Sequence, residues 1–222
     1  MRRIVKNSQP PALAKWRKKT AGTAWFNYEG LKQEPKLRET VIKALLKEQG
    51  GLCAYTGIAI DAATCHVEHV KAQDHCPAGS GDDVDYNNMV ACFPQPNVGC
   101  PFGAVEKGSW PPPAEAKDFV SPLQVGCEGK FYYLYDGKIK ARSSQAAEKT
   151  IEKLALDHKQ LENYRRQAIR GALNKNGQLL TLKDAEATLA TLARQTGKLD
   201  PFLFVVVNAL QNHINQVNKK IR

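Results

Sequence analysis

All six cysteines of this chain, Cys53, Cys65, Cys76, Cys92, Cys100 and Cys127, fall in its middle, beside His66, His69 and His75. The same region carries Pro94, Pro96, Pro101, Pro111, Pro112 and Pro113 within the segment from Phe93 to Pro113. Proline has no N–H to donate and clashes with the preceding helical turn, so this segment cannot be regular helix and needs some other restraint to be ordered. A metal would supply it. Such a cysteine set suits disulfides in a secreted mini-protein, and metal binding or catalysis in a reducing cytosol. The start Met1-Arg2-Arg3-Ile4-Val5-Lys6 resembles the charged region of a signal peptide, but Asn7, Ser8 and Pro10 interrupt any apolar segment. The expectation is therefore a cytoplasmic protein.

Outside this region the pattern is mostly helical. Pro35 suits a first helical turn, and Leu37, Val41, Ala44, Leu45 and Glu48 follow at helical spacing until Gly50-Gly51. Leu52–Tyr55, Ile58–Ile60 and His66–Val70 read as short β pieces of a hairpin, Lys71–Asp85 as a loop, and Asn87 or Asn88 through Cys92 as a short helix. Asp136-Gly137 predicts a hairpin turn between Lys130–Leu134 and Lys138–Ala141. Further apolar stripes predict helices around Ile151, Leu161 and Leu189, the last behind a Thr181-x-x-Asp184 capping box, and from Phe202 to Val217. This divides the chain into a basic arm (1–34), a cysteine-bearing core with its following hairpin (35–142) and a helical region (143–222).

With 32 Lys plus Arg against 22 Asp plus Glu in 222 residues, the net charge of +10 favours a polyanionic partner, nucleic acid first. The basic residues cluster at Lys15, Arg17, Lys18 and Lys19, at Arg165, Arg166 and Arg170, and at Lys219, Lys220 and Arg222. The longest apolar run, Phe202–Val207, is far shorter than the roughly 20 residues of a membrane span.

The chemistry concentrates in Cys65-His66-Val67-Glu68-His69, then Asn87-Asn88, then Cys92, Cys100 and Lys107. A strand with an acidic residue beside histidine, a loop, and an asparagine opening the next element follow the order of a ββα-metal (HNH) nuclease site. Histidine, with an unperturbed pKa near 6.5, can take a proton from an attacking water at pH 7. A neighbouring carboxylate can hold Mg²⁺ or Mn²⁺ against the phosphate. His69 is then the base, Glu68 the metal ligand, and Asn88, with Asn87 second, the residue orienting the imidazole. Strand alternation puts His66 on the Glu68 face and His69 on the other: if Glu68 and His69 serve one phosphate the strand must twist or end there, while the competing reading takes His66 as a second metal ligand, which its position beside Glu68 permits. Cys53, Cys92 and Cys100 stand where a structural zinc would take three ligands, but Thr56 replaces the fourth. Either Cys127 completes that set or the cysteines are buried thiols.

Together these residues resemble the PtuB-like HNH nuclease subunits of the Septu and retron-associated anti-phage systems. The likeness runs through Met1-Arg2-Arg3-Ile4, Glu48-Gln49-Gly50-Gly51-Leu52-Cys53-Ala54-Tyr55, Cys65–His69, Tyr86-Asn87-Asn88 with Ala91-Cys92, Cys100 and Lys107, and more weakly Ala147-x-x-Thr150-Ile151-x-x-Leu154 with Leu161 and Arg165. It departs at Thr56, at Lys71-Ala72 where a proline is expected, and in lacking an obvious final histidine or asparagine after Cys100, which leaves Asn97 and Glu106 as candidates for the last metal ligand. The resemblance implies a DNA-directed endonuclease effector working beside an ABC-type ATPase.

The expected fold is α+β, a compact ββα-metal nuclease core in a mostly helical body, with Lys107 and the basic clusters contacting phosphate. The rivals are an RNA-cleaving enzyme with the same site, and a zinc-stabilised nucleic-acid-binding module in which His66 and His69 are zinc ligands.

Overall fold

The computed structural model describes residues 1–221 as a mixed α and β fold with small antiparallel sheets. Helices α1 (Pro11–Thr20), α2 (Tyr28–Lys32) and α3 (Pro35–Gln49) come first. The strands β1 (His66–His69) and β2 (Met89–Cys92) pair antiparallel, and the single-turn helix α4 (Ala104–Lys107) follows. A hairpin of β3 (Phe131–Tyr133) and β4 (Ile139–Ala141) leads to helices α5 (Gln145–Lys153) and α6 (Lys159–Leu173). A two-residue pair, β5 (Asn174–Lys175) with β6 (Gln178–Leu179), precedes α7 (Leu182–Ala193) and α8 (Leu203–Ile221). Arg222 and the side chain of Lys220, both in the third basic cluster, lie outside the described residues.

Helix α3 has the predicted bounds. Pro35 occupies its first turn, and Gly50, at φ 65°, takes the left-handed conformation that ends it while its N–H reaches Leu46 and Lys47 carbonyls. The basic arm is helical and lies on α3: Leu13 and Trp16 of α1 and Tyr28 and Leu31 of α2 are buried, and both helices contact α3. Its outer end is fixed by Lys6, which donates to Glu48 at 2.7 Å and lies 3.7 Å over the Tyr86 ring. One buried cluster runs from Met1 and Ile4 through Leu45, Val90 and Leu161 to Leu210 and Ile214, so the three sequence segments share a core.

Two expectations are corrected around the cysteines. The short helix at Asn87–Cys92 is a 3₁₀ turn at Tyr86–Asn88 followed by strand β2. All four residues of Met89–Cys92 are buried, and a short continuous apolar run carries no period that separates strand from helix. The hairpin expected within Leu52–Val70 is reduced to a single bridge between Leu52 and Ala59, and β1 pairs forward across the loop with β2. His66 faces Cys92, Val67 faces Ala91, Glu68 faces Val90 and His69 faces Met89.

A two-stranded sheet is marginal by itself, and Gln49 explains how this one persists. Its side-chain oxygen accepts the Ala91 N–H at 2.7 Å, and its amide donates to the Ala91 and Leu52 carbonyls at 2.8 and 2.7 Å. A 2% exposed glutamine thus stands in for a third strand along the free edge of β2. Gln49→Leu is expected to leave the Ala91 N–H and the Leu52 carbonyl without these partners, costing about 2–3 kcal/mol in chemical denaturation.

The C-terminal helices match their periodicity. Thr181 caps α7 by accepting the Asp184 N–H at 3.2 Å, as the capping box predicts, and α8 packs on both α6 and α7. No helix among the described residues is long and apolar enough to cross a membrane.

Candidate functional site

Strand β1 alternates as its sequence requires, with His66 and Glu68 partly exposed and Val67 and His69 buried. Each functional side chain on it is held from a different element. Lys107, delivered by the single turn of α4, donates to Glu68 Oε1 at 2.8 Å and to the His69 carbonyl at 3.0 Å. Tyr55 adds its hydroxyl to the same Glu68 oxygen at 3.2 Å. From the proline-rich segment, the Pro94 carbonyl accepts His66 Nδ1–H at 2.5 Å, which leaves His66 Nε2 3.8 Å from Glu68 Oε2. This segment is therefore restrained by hydrogen bonds from His66 and between Gly103 N–H and the Leu154 carbonyl.

The charges settle accordingly. Burial opposes ionisation of Glu68, but His66 and Lys107 outweigh it and hold the carboxyl below its ordinary range. Burial alone would lower the His66 pKa, yet the Glu68 carboxylate and the Pro94 carbonyl raise it.

His69 is in a different state. It is 4% exposed, its Nε2 lies 2.7 Å from the Asp83 carbonyl, and Tyr28 packs edge-on with ring centroids 4.6 Å apart. Burial lowers its pKa and the Asp83 carbonyl offsets this only in part, so the ring is neutral at pH 7. A neutral ring donating Nε2–H to Asp83 keeps its lone pair on Nδ1, which has no hydrogen-bond partner among the described residues.

Asn88 does not make the contact expected of it. Its Oδ1 accepts the Lys71 N–H at 2.7 Å, and its Nδ2 donates to the carbonyls of Lys71 and Asp82 at 3.0 and 3.2 Å. It ties together the two ends of the loop whose next residue, Asp83, bonds His69, so it reaches His69 only through that loop. Asn87 bonds only the Asp85 carboxylate, at 3.3 Å, on the surface. Asp83 also accepts the Tyr28 N–H on its carboxylate at 2.7 Å, fixing both groups that frame His69. Its orienting group is a main-chain carbonyl, and no residue type advertises that. Tyr55 was present in the quoted motif but without a role.

No family model matches this chain, and no curated protein does.

The cysteines assemble only in part. Cys53 and Cys92 are both buried, and the Phe93 N–H donates to Cys53 Sγ at 3.4 Å. Burial pushes the Cys53 thiol up, but hydrogen bonds from Cys92 and Thr56 bring it down to about 6, while burial drives Cys92 the other way. Thr56, 4% exposed, fills the position the missing ligand would occupy with a hydroxyl. Cys127 bonds the Pro122 carbonyl ahead of β3, and all six thiols are free. Among the described residues no three His, Cys, Asp or Glu side chains converge to hold a metal. The expected Cys53, Cys92 and Cys100 set therefore does not form the four-ligand shell of a structural zinc.

A catalytic cation asks for less. Mg²⁺ is commonly held by one or two protein groups with water and phosphate completing its shell. Two ligand atoms each about 2.1 Å from one octahedral ion stand about 3.0 Å apart when adjacent and about 4.2 Å apart when opposite, and the 3.8 Å between His66 Nε2 and Glu68 Oε2 lies between the two, so joint ligation requires a small side-chain movement.

The expectation that Lys107 contacts phosphate is corrected: its side chain is 0% exposed and committed to Glu68. Arg165 is likewise 2% exposed and bonded to the Gly137 and Leu156 carbonyls. Lys15, Lys18 and Lys19 are exposed on α1. They carry the surface charge the sequence led one to expect.

Proposed function

We propose that this chain is a metal-dependent DNA endonuclease with a ββα-metal (HNH) centre, hydrolysing phosphodiester bonds at the end of β1. The observation that carries this reading is one strand bearing, within four residues, an imidazole and a carboxylate 3.8 Å apart, His66 and Glu68, and a second imidazole, His69, held through a single nitrogen. The order β1, loop, β2, α4 supports it, and the net charge of +10 suits a polyanionic substrate.

His69 acts as general base, its Nδ1 taking the proton of the attacking water while the Asp83 carbonyl holds the ring in the required tautomer. A divalent cation on Glu68 and His66 would offset charge on the phosphate as the leaving oxygen departs. Lys107 keeps Glu68 ionised and ready for such an ion, and Tyr55 fixes the carboxylate's rotation. Asn88 keeps the Lys71–Asp82 loop closed so that Asp83 stays in place.

By its resemblance, the chain would serve as the effector of an anti-phage system with an ABC-type ATPase partner, acting in the cytoplasm, where six free thiols are stable. The C-terminal helices from about Ala146 onward are the proposed docking surface for that partner.

The test is nicking and linearisation of supercoiled plasmid by the purified chain with Mg²⁺ or Mn²⁺ and with chelator. Metal-dependent nicking is expected. Absence of cutting with the ATPase subunit also present would overturn the assignment, and cutting confined to RNA would replace the substrate.

A further inference from the structure

A groove of about 290 Å³ opens beside His66. Helices α2 and α3 contribute Tyr28, Lys32 and Arg38 to it, and the loop after β2 and helix α4 contribute Pro96, Val98 and Val105. Its two sources of lining differ in chemistry, one cationic and one apolar.

Arg38 is the informative member. Its Nε is buried and has no hydrogen-bond partner, as is also true of Arg17 Nε, and its guanidinium neighbours the Tyr28 hydroxyl, while no carboxylate pairs with it among the described residues. A buried donor without a partner is costly, and a covered Nε is out of a ligand's reach, so any recognition falls to the terminal nitrogens of the guanidinium. Guanidinium presents its donors as a planar fork that matches a phosphate, which makes phosphate the fitting acceptor beside a phosphodiester-cleaving centre. Lys32 stands by with a replaceable partner, since its ion pair with Glu29 is exposed on both sides. Val98 and Val105, each 43% exposed, give a nearby apolar surface with nothing covering it.

We propose that this groove holds one unstacked nucleotide of the DNA strand being cut, its phosphate on Arg38 and Lys32 and its base against Val98 and Val105. The inference rests on the reading of His66 and Glu68 as the cleavage site and names the form of its substrate. The volume is just under the roughly 300 Å³ at which small-molecule sites begin, so the groove itself has room for one nucleotide at most. The enzyme therefore acts on single-stranded or locally opened DNA, because a base inside an intact stack cannot enter.

The test uses the full chain in chelator, with fluorescence anisotropy on a labelled single-stranded DNA oligonucleotide and on a blunt duplex of the same length. Arg38→Gln keeps the side chain's polarity but removes its charge and fork. It is expected to weaken single-strand binding about tenfold, to flatten the slope of log K against log salt by about 0.7, the amount due to one phosphate on a single strand, and to leave duplex binding unchanged. Arg38→Lys should restore the slope but only part of the affinity. Equal weakening on both DNAs, or on neither, with an unchanged melting temperature, would overturn the groove assignment. If wild type shows the Arg38-dependent preference yet never cuts with metal, the groove stands and the nuclease reading fails. If wild type cuts and Arg38→Gln cuts single strands equally well, the groove fails alone.

Discussion

A His69→Ala chain is expected to bind DNA as the wild type does and to cleave it about 10²–10⁴-fold more slowly, the usual contribution of a positioned general base. His69 is also packed against Tyr28 and bonded to Asp83, so the variant needs a measure of folding beside the rate. A melting curve and DNA binding in chelator supply it, and His69→Asn retains a side-chain donor for the Asp83 carbonyl. The pH profile separates chemistry from structure. The base must be neutral, and burial places the His69 pKa below its ordinary 6.5, so wild-type cleavage should fall only as pH drops beneath that value and stay level above it. Loss of this acid limb in the residual activity of His69→Asn would mark the imidazole as the titrating group. Undiminished cutting by a well-folded His69→Ala preparation would remove His69 from the mechanism.

What could be read ahead of the structure divides along physical lines. Helix α3 was legible because Pro35 and Gly50 act through their own backbone restrictions, whatever packs around them. The β3–β4 hairpin was legible for the same reason at Asp136-Gly137, where Gly137 has φ 86°. Strand β2 was not, since a four-residue apolar run is equally good in a buried helix, and its extended form depends on Gln49 and β1. Helices α1 and α2 were not read from the basic arm, where Pro10-Pro11 and the aromatics Trp25, Phe26 and Tyr28 interrupt a clear helical period. In the site, the same-face relation of His66 and Glu68 followed from strand alternation. The burial of Lys107 did not, because a lysine reads as solvent-exposed until the carboxylate that compensates it is located. The orienting partner of His69 could not have been found by residue type, and Asn88, expected to bond the imidazole, bonds Lys71 and Asp82 instead.

Lys107→Met is expected to destabilise the fold by about 3–5 kcal/mol at pH 7, the range for breaking one side of a buried ion pair. Methionine fills similar space, so the loss is chiefly the ammonium that compensates Glu68, whose side chain is only 13% exposed. The pH dependence fixes the sign. In the wild type the folded Glu68 pKa is depressed below 4.5, so its ionised form contributes stability that is present above that value and lost as pH falls through the folded pKa. Without Lys107 the buried carboxylate becomes a burden that protonation relieves. The gap between variant and wild type should therefore be widest at neutral pH and narrow toward pH 4, measured by urea titration at each pH. The double variant Lys107→Met with Glu68→Gln should be more stable at pH 7 than Lys107→Met alone, because no uncompensated charge remains. Mn²⁺ should raise the melting temperature of Lys107→Met more than that of wild type, since a cation on Glu68 then replaces the missing charge and stabilises by mass action. An equal cost at pH 4 and pH 7, with no rescue in the double variant, would make Lys107 a packing residue and leave Glu68 without its electrostatic support.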